Sequence, residues 1–92
     1  MATAELQLAP DHPAAQGHFP GNPVIPGAVL LAETLQLIAP KRRLRVRNAK
    51  FLAPARPGDR VAIEFESTER GATFTCRVGG TVVMKGEILW TQ

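Results

Sequence analysis

One segment of the chain is apolar at nearly every position. In "AVLLAETLQLIA", from Ala28 to Ala39, only Glu33, Thr34 and Gln36 interrupt a run of aliphatic side chains. The pattern predicts a helix from about Gly27 to Ala39. Pro26 suits its start, where a missing N–H is no loss, and Pro40 stops it. A helix apolar almost all round, through Val29, Leu30, Leu31, Ala32, Leu35, Leu37 and Ile38, is expected to be buried on most sides. Before it, Glu5 to Ala9 predicts a short strand broken by Pro10 and Pro13. After it the period becomes two. "RLRVRNAKFLA" alternates basic and apolar residues from Arg43 to Arg47, then shifts parity near Asn48, which predicts a bulge. "PARPGD" is a turn. "RVAIEFES" puts Val61, Ile63 and Phe65 on one face, and "ATFTCRV" does the same for Ala72, Phe74, Cys76 and Val78. Gly79 and Gly80 predict a two-residue hairpin. "TVVMKGEILW" places Val82, Met84, Ile88 and Trp90 together. One apolar helix against about four or five antiparallel strands is an α+β architecture, and the sheet has to curl around the helix to cover it.

Length and composition narrow the picture. Ninety-two residues point to a single domain, 1–92, with a limited core that oligomerisation would enlarge. Tyrosine is absent and tryptophan occurs once, so aliphatic side chains build most of the interior. The net charge of +3 favours an acidic partner without naming one. The single cysteine, Cys76, excludes an intrachain disulfide and reads as a core residue. The start "MATAELQLAPD" lacks the basic and long apolar regions of a signal peptide, and no segment reaches the roughly 18 apolar residues of a membrane span. The expectation is a soluble, cytoplasmic protein.

Chemistry concentrates just ahead of the helix. "GHFPGNPVIPG", Gly17 to Gly27, surrounds His18 with Gly17, Gly21 and Gly27 and with Pro20, Pro23 and Pro26. Histidine exchanges protons near neutral pH. The helix start near Gly27 offers unpaired N–H groups and the positive end of the helix dipole. A base and an oxyanion site nine residues apart in one loop fit proton abstraction beside a carbonyl. Two plainer readings stand beside this one: a structural histidine next to Phe19, and a polyproline ligand segment.

"GHFPGNPVIPG" closely resembles the signature of the beta-hydroxyacyl-[acyl-carrier-protein] dehydratases of fatty-acid synthesis. "NAKFLAPARPGD" and "GGTVVMKGEILW" are similar to that family's later strands, so the resemblance runs from about Leu6 to Trp90. It implies the hot-dog fold, an antiparallel sheet wrapped around one long helix, joined edge to edge into a dimer with active sites at the interface. It implies His18 as the base beside the thioester carbonyl and the Gly27 N–H as the group that polarises that carbonyl. The Val24 carbonyl would orient the imidazole, and Phe19, Leu30 and Leu31 would line the acyl site. No cofactor is implied.

The chain departs from the family at one decisive position. A Glu or Asp there, five residues after the glycine that opens the helix, protonates the departing hydroxyl from the partner subunit; here it is Ala32. Glu33 follows one residue later, about 100° further round the helix, as a substitute acid or as a helix carboxylate facing solvent or an interface, with or without a basic partner. Loss of the acid costs on the order of 10²–10⁴ in rate. Family members also carry an extra helix and strand ahead of the segment that starts here. The shorter form implies a more open acyl tunnel and a greater need for dimerisation.

"KRRLRVR", Lys41 to Arg47, holds five of the eleven basic residues. Arg43, Arg45 and Arg47 on one strand face would receive an acidic acyl carrier protein by electrostatic steering, or would simply be a solvated face. Nucleic acid is not expected, because aromatic stacking platforms and recognition motifs are missing. No metal-ligand spacing occurs, and His12 reads as a surface loop residue. The resulting expectation is a beta-hydroxyacyl thioester dehydratase forming a trans-2-enoyl thioester, a homodimer or higher oligomer. Its alternatives are a non-catalytic acyl or acyl-carrier binding module, one half of a heterodimer whose partner supplies the acid, and a hot-dog thioesterase.

Overall fold

The computed structural model describes residues 1–15, 21 and 23–92. Strand β1 (Ala2–Gln7) leads through a 3-10 turn (Pro13–Ala15) to helix α1 (Gly27–Ile38). Strands β2 (Leu44–Phe51), β3 (Arg60–Ser67), β4 (Gly71–Val78) and β5 (Thr81–Trp90) follow. They form one sheet in the order β1-β3-β4-β5-β2, antiparallel throughout. The single helix against this sheet is the expected hot-dog arrangement. Strand β1 begins at Ala2, earlier than Glu5, because its whole length pairs with β3, Ala2 opposite Phe65 and Gln7 opposite Arg60.

The period-two pattern becomes register. Ile63 lies opposite Cys76, Phe65 opposite Phe74, Cys76 opposite Met84 and Ala72 opposite Ile88. Side chains directly opposite share a face, so these residues make one inward surface. Val61, Ile63, Phe74, Cys76, Met84 and Ile88 are buried there. Two connections are set by glycine. Gly79 and Gly80 both have positive φ, 56° and 86°, the backbone of the tight hairpin predicted there. Gly58, at φ 89°, follows Pro57 in a turn closed by the Asp59 N–H donating to the Arg56 carbonyl at 3.0 Å.

Three features differ from expectation. In β5, Val83 is buried at 2% exposure where alternation predicted Val82. A register shift between Cys76 and Arg77 leaves Val83 without a partner opposite and turns it inward beside Met84. In β2 the expected parity change is a bulge between Val46 and Asn48, which takes Arg47 out of the alternation. The helix is less enclosed than its composition suggested. Leu30 and Thr34 are buried, and Val29, Leu31, Leu35 and Ile38 pack against the core. Ala28, Ala32, Gln36 and Leu37 face outward. Within one chain, a five-stranded sheet covers one side of a helix.

Cys76 is fully buried, its Sγ 3.8 Å from the Thr34 hydroxyl, and burial pushes the thiol up from its ordinary range. Only the thiolate attacks a disulfide. The folded protein is therefore expected to leave an aromatic disulfide reagent unconsumed at pH 8, and to release one equivalent of chromophore after unfolding in guanidinium.

Candidate active site

The start of α1 is held from both sides. Pro26 caps the helix at φ −55°, ψ 140°, and its carbonyl accepts the Val29 and Leu30 N–H groups at 3.0 and 3.1 Å. The Gly27 and Ala28 N–H groups thus stand ahead of the first helical hydrogen bond, at the positive end of the dipole. Just upstream, the Ile25 N–H donates to the Ala55 carbonyl at 2.8 Å, a bridge that pins the approach to the helix onto the β2–β3 connection.

An apolar concavity opens at this point. Ile25, Gly27, Leu30, Phe51, Leu52 and Ala53 line a cavity of about 350 Å³, within the range of roughly 300–1,000 Å³ that small-molecule sites take. The Phe51 ring lies across Gly27: a Cβ on Gly27 would fall 2.8 Å from Phe51 Cδ1 and 2.9 Å from Cε1. Phe51 and Leu52 remain 52% and 54% exposed, so the groove is open on one side. A backbone amide with positive polarity at the end of an apolar groove suits an acyl group whose carbonyl oxygen must gain negative charge.

The residues singled out from the sequence fall into distinct places. His18 and Phe19 lie outside the described residues. Val24 is half-buried beside the Ile25 bridge. Leu30 lines the cavity, while Leu31 packs against the core. Ala32 is exposed. The Glu33 carboxylate meets the His12 Nε2 at 3.2 and 3.3 Å. His12 is therefore no surface loop residue; its side chain is 13% exposed.

The arginines are exposed but do not share one regular strand face. Arg43 precedes β2 and donates from Nη1 to the Gln92 carbonyl at 3.4 Å. Arg45 stands opposite Leu89. Arg47, at the bulge, has Nη1 3.7 Å from Glu87 Oε2. Arg42 lies over the Trp90 ring at 3.7 Å.

Two contributors escaped the sequence reading. Phe51 was detectable in principle, since the parity shift at Asn48 carries Ala49 and Phe51 to the inward face, opposite Gly86 and Met84. The contact between His12 and Glu33 had no local signal. Among the described residues no group of three or more His, Cys, Asp or Glu side chains gathers as a metal site would require. No described helix is long and apolar enough to cross a membrane.

Residues 1–87 match the ApeI-like family, described as ApeI dehydratase. A 3-hydroxyacyl-[acyl-carrier-protein] dehydratase FabZ from Myxococcus xanthus is 34% identical over 97% of this chain and 71% of its own length. The FabZ of Caulobacter vibrioides is 39% identical over 84% of this chain and 60% of its own. Among solved structures, the dehydratase heterocomplex ApeI:P from Xenorhabdus doucetiae superimposes with a TM-score of 0.79. It is 25% identical, over 98% of this chain and 86% of that one. A probable thioesterase from Bartonella henselae, 18% identical with a TM-score of 0.56, shares the fold alone. By these likenesses, and with a helix-start amide at the end of an apolar groove, the chain belongs to the ApeI-like dehydratases, hot-dog proteins, and its function is dehydratase-like.

Proposed function

We propose that the protein converts a 3-hydroxyacyl thioester, carried by an acyl carrier protein, into the trans-2-enoyl thioester. The observation that carries this reading is an apolar groove at the start of α1, lined by Gly27, Leu30 and Phe51. The acyl chain lies in the groove beside Leu30 and Phe51, with the carbonyl oxygen at the Gly27 N–H. His18, oriented by the Val24 carbonyl, takes the Cα proton, and the electron pair moves toward the thioester oxygen. The pair then returns to form the Cα–Cβ double bond as the C3–O bond breaks. The departing hydroxyl leaves as water once a proton reaches it. The steps are proton transfers and heterolytic cleavage of the C3–O bond, with no net oxidation or reduction, so the reaction requires no redox cofactor. Arg43, Arg45 and Arg47 attract the acidic carrier. The protein works in the cytoplasm as a homodimer or higher oligomer, in which the exposed Leu37, Phe51 and Leu52 gain cover.

The test is incubation of the purified protein with a 3-hydroxyacyl carrier thioester. Enoyl thioester is the expected product. Free thiol instead would mark a thioesterase, and acyl binding without turnover would mark a binding module.

Ala32 favours one specific variant of this reading. It is exposed where the resembled family carries its acid, and the ApeI:P relative is a heterocomplex. A chain that supplies base and amide while a different partner supplies the carboxylate fits both observations. Ala32→Glu is then expected to raise dehydration by the isolated protein by about 10²-fold or more, measured as initial enoyl formation. An unchanged rate would count against a missing acid at this position.

A further inference from the structure

His12 and Glu33 are brought together from opposite sides of the loop that carries His18. His12 follows β1, its N–H donating to the Ala9 carbonyl at 3.1 Å and its carbonyl accepting the Ala15 N–H at 3.1 Å. The ring is held at both nitrogens. Nδ1 accepts the Ala14 N–H at 3.1 Å, so the ring proton belongs on Nε2. Nε2 faces both oxygens of Glu33, at 3.2 and 3.3 Å. Glu33 stands in the second turn of α1, the same helix whose first amide belongs to Gly27.

The contact joins two legs of one device. Residues 12–15 lead into the loop, and Ile25, bridged to Ala55, leads out of it to α1. His12 and Glu33 tie the entering leg to the helix, while the bridge ties the leaving leg to the sheet. Residues 12–15 and Ile25 are thereby both fixed relative to α1 and the sheet. The carboxylate of Glu33 is engaged by an imidazole of its own chain.

We propose that His12 and Glu33 are a positioning pair, which holds residues 12–15, the leg that leads toward His18, against α1; Glu33 is committed to that tie, and the proton for the departing hydroxyl comes from elsewhere. This rests on the dehydratase reading for its effect on turnover. Misplacing a reacting group by about 1 Å costs on the order of 10²-fold, the size of effect expected when the tie is lost.

The test compares Glu33→Ala, Glu33→Gln, His12→Ala and the double alanine variant in enoyl formation, each checked for an intact circular dichroism spectrum. Gln keeps an oxygen that accepts from Nε2–H but has no proton to give as an acid. Positioning predicts a loss of about 10²-fold in kcat for Glu33→Ala and for His12→Ala. It predicts that the double variant is no worse than either single one, and that Glu33→Gln recovers all but about fivefold. Equal losses in Gln and Ala, with His12→Ala near the unmodified rate, would overturn the proposal in favour of Glu33 as the acid.

A second readout does not depend on turnover. Imidazole nitrogen NMR of the unmodified protein should show Nε2 protonated and Nδ1 bare. Amide exchange at Ala14 and Ala15 should quicken in Glu33→Ala and return toward normal in Glu33→Gln. A protein without turnover would remove the dehydratase reading, and the exchange result would then decide the pair alone. Exchange rates unmoved by Glu33→Ala would reject it.

Discussion

His18→Ala is expected to lower enoyl formation by about 10²–10⁴-fold while leaving the fold in place. The reaction asks for two things at once, a base at Cα and a positive dipole at the carbonyl oxygen. In the proposed mechanism the second comes from backbone at Gly27, at the start of α1, not from a loop side chain. The alanine variant should therefore still bind the acyl thioester and still present a polarising amide, but find no group to accept the proton. Single-turnover kinetics on the carrier thioester separates these steps: acyl binding retained, chemistry lost. Retention of turnover in His18→Ala would place the base elsewhere. Loss of binding together with turnover would make His18 a structural residue of its loop, the plainer reading its neighbour Phe19 allows.

The largest expected effect on stability is at Phe74. The residue is 2% exposed, opposite Phe65 on β3 and opposite Gly86 on β5. Its ring lies over Gly86, where a Cβ would fall 2.7 Å from Phe74 Cζ. Phe74→Ala empties that space and deletes contacts with two neighbouring strands, at a cost of about 3–5 kcal/mol. Folded domains have only about 5–15 kcal/mol to lose, so the urea midpoint should fall steeply or the variant should fail to fold. Phe51→Ala is the informative control. That ring is 52% exposed and closes the groove more than the core. Its removal should leave the midpoint nearly unchanged and alter acyl binding instead. A loss below about 1 kcal/mol for Phe74→Ala would show that the inward face of β4 does not hold the sheet together.

How much could be read in advance follows from where each element buries its side chains. Strands β3 and β4 alternate cleanly because one face meets the core and the other meets solvent, so Ile63, Phe74 and Cys76 were legible without a structure. The bulge at Arg47 showed as a parity change. The bulge beside Cys76 did not, because Val82, Val83 and Met84 are all apolar and alternation has nothing to register. Helix α1 read as enclosed because composition reports the cover a helix needs, and a single chain supplies part of it; Leu37 and Ala32 are left facing outward. The helix start at Gly27 could be inferred from Pro26, but the ring packed where a Gly27 side chain would be comes from Phe51 at the far end of β2. His12 and Glu33 meet across 21 positions of chain, and no periodic signal encodes such a contact.

The most direct test of the central claim, that a Cα proton is removed between His18 and the Gly27 amide, is isotope exchange. A 3-hydroxyacyl carrier thioester is incubated with the protein in deuterium oxide, and both recovered substrate and enoyl product are read by mass spectrometry. The mechanism predicts deuterium at Cα of recovered substrate, entering at least as fast as enoyl appears if loss of the hydroxyl is the slow step, and absent with His18→Ala. No deuterium at Cα and no enoyl product, from a protein that demonstrably binds the thioester, would contradict it.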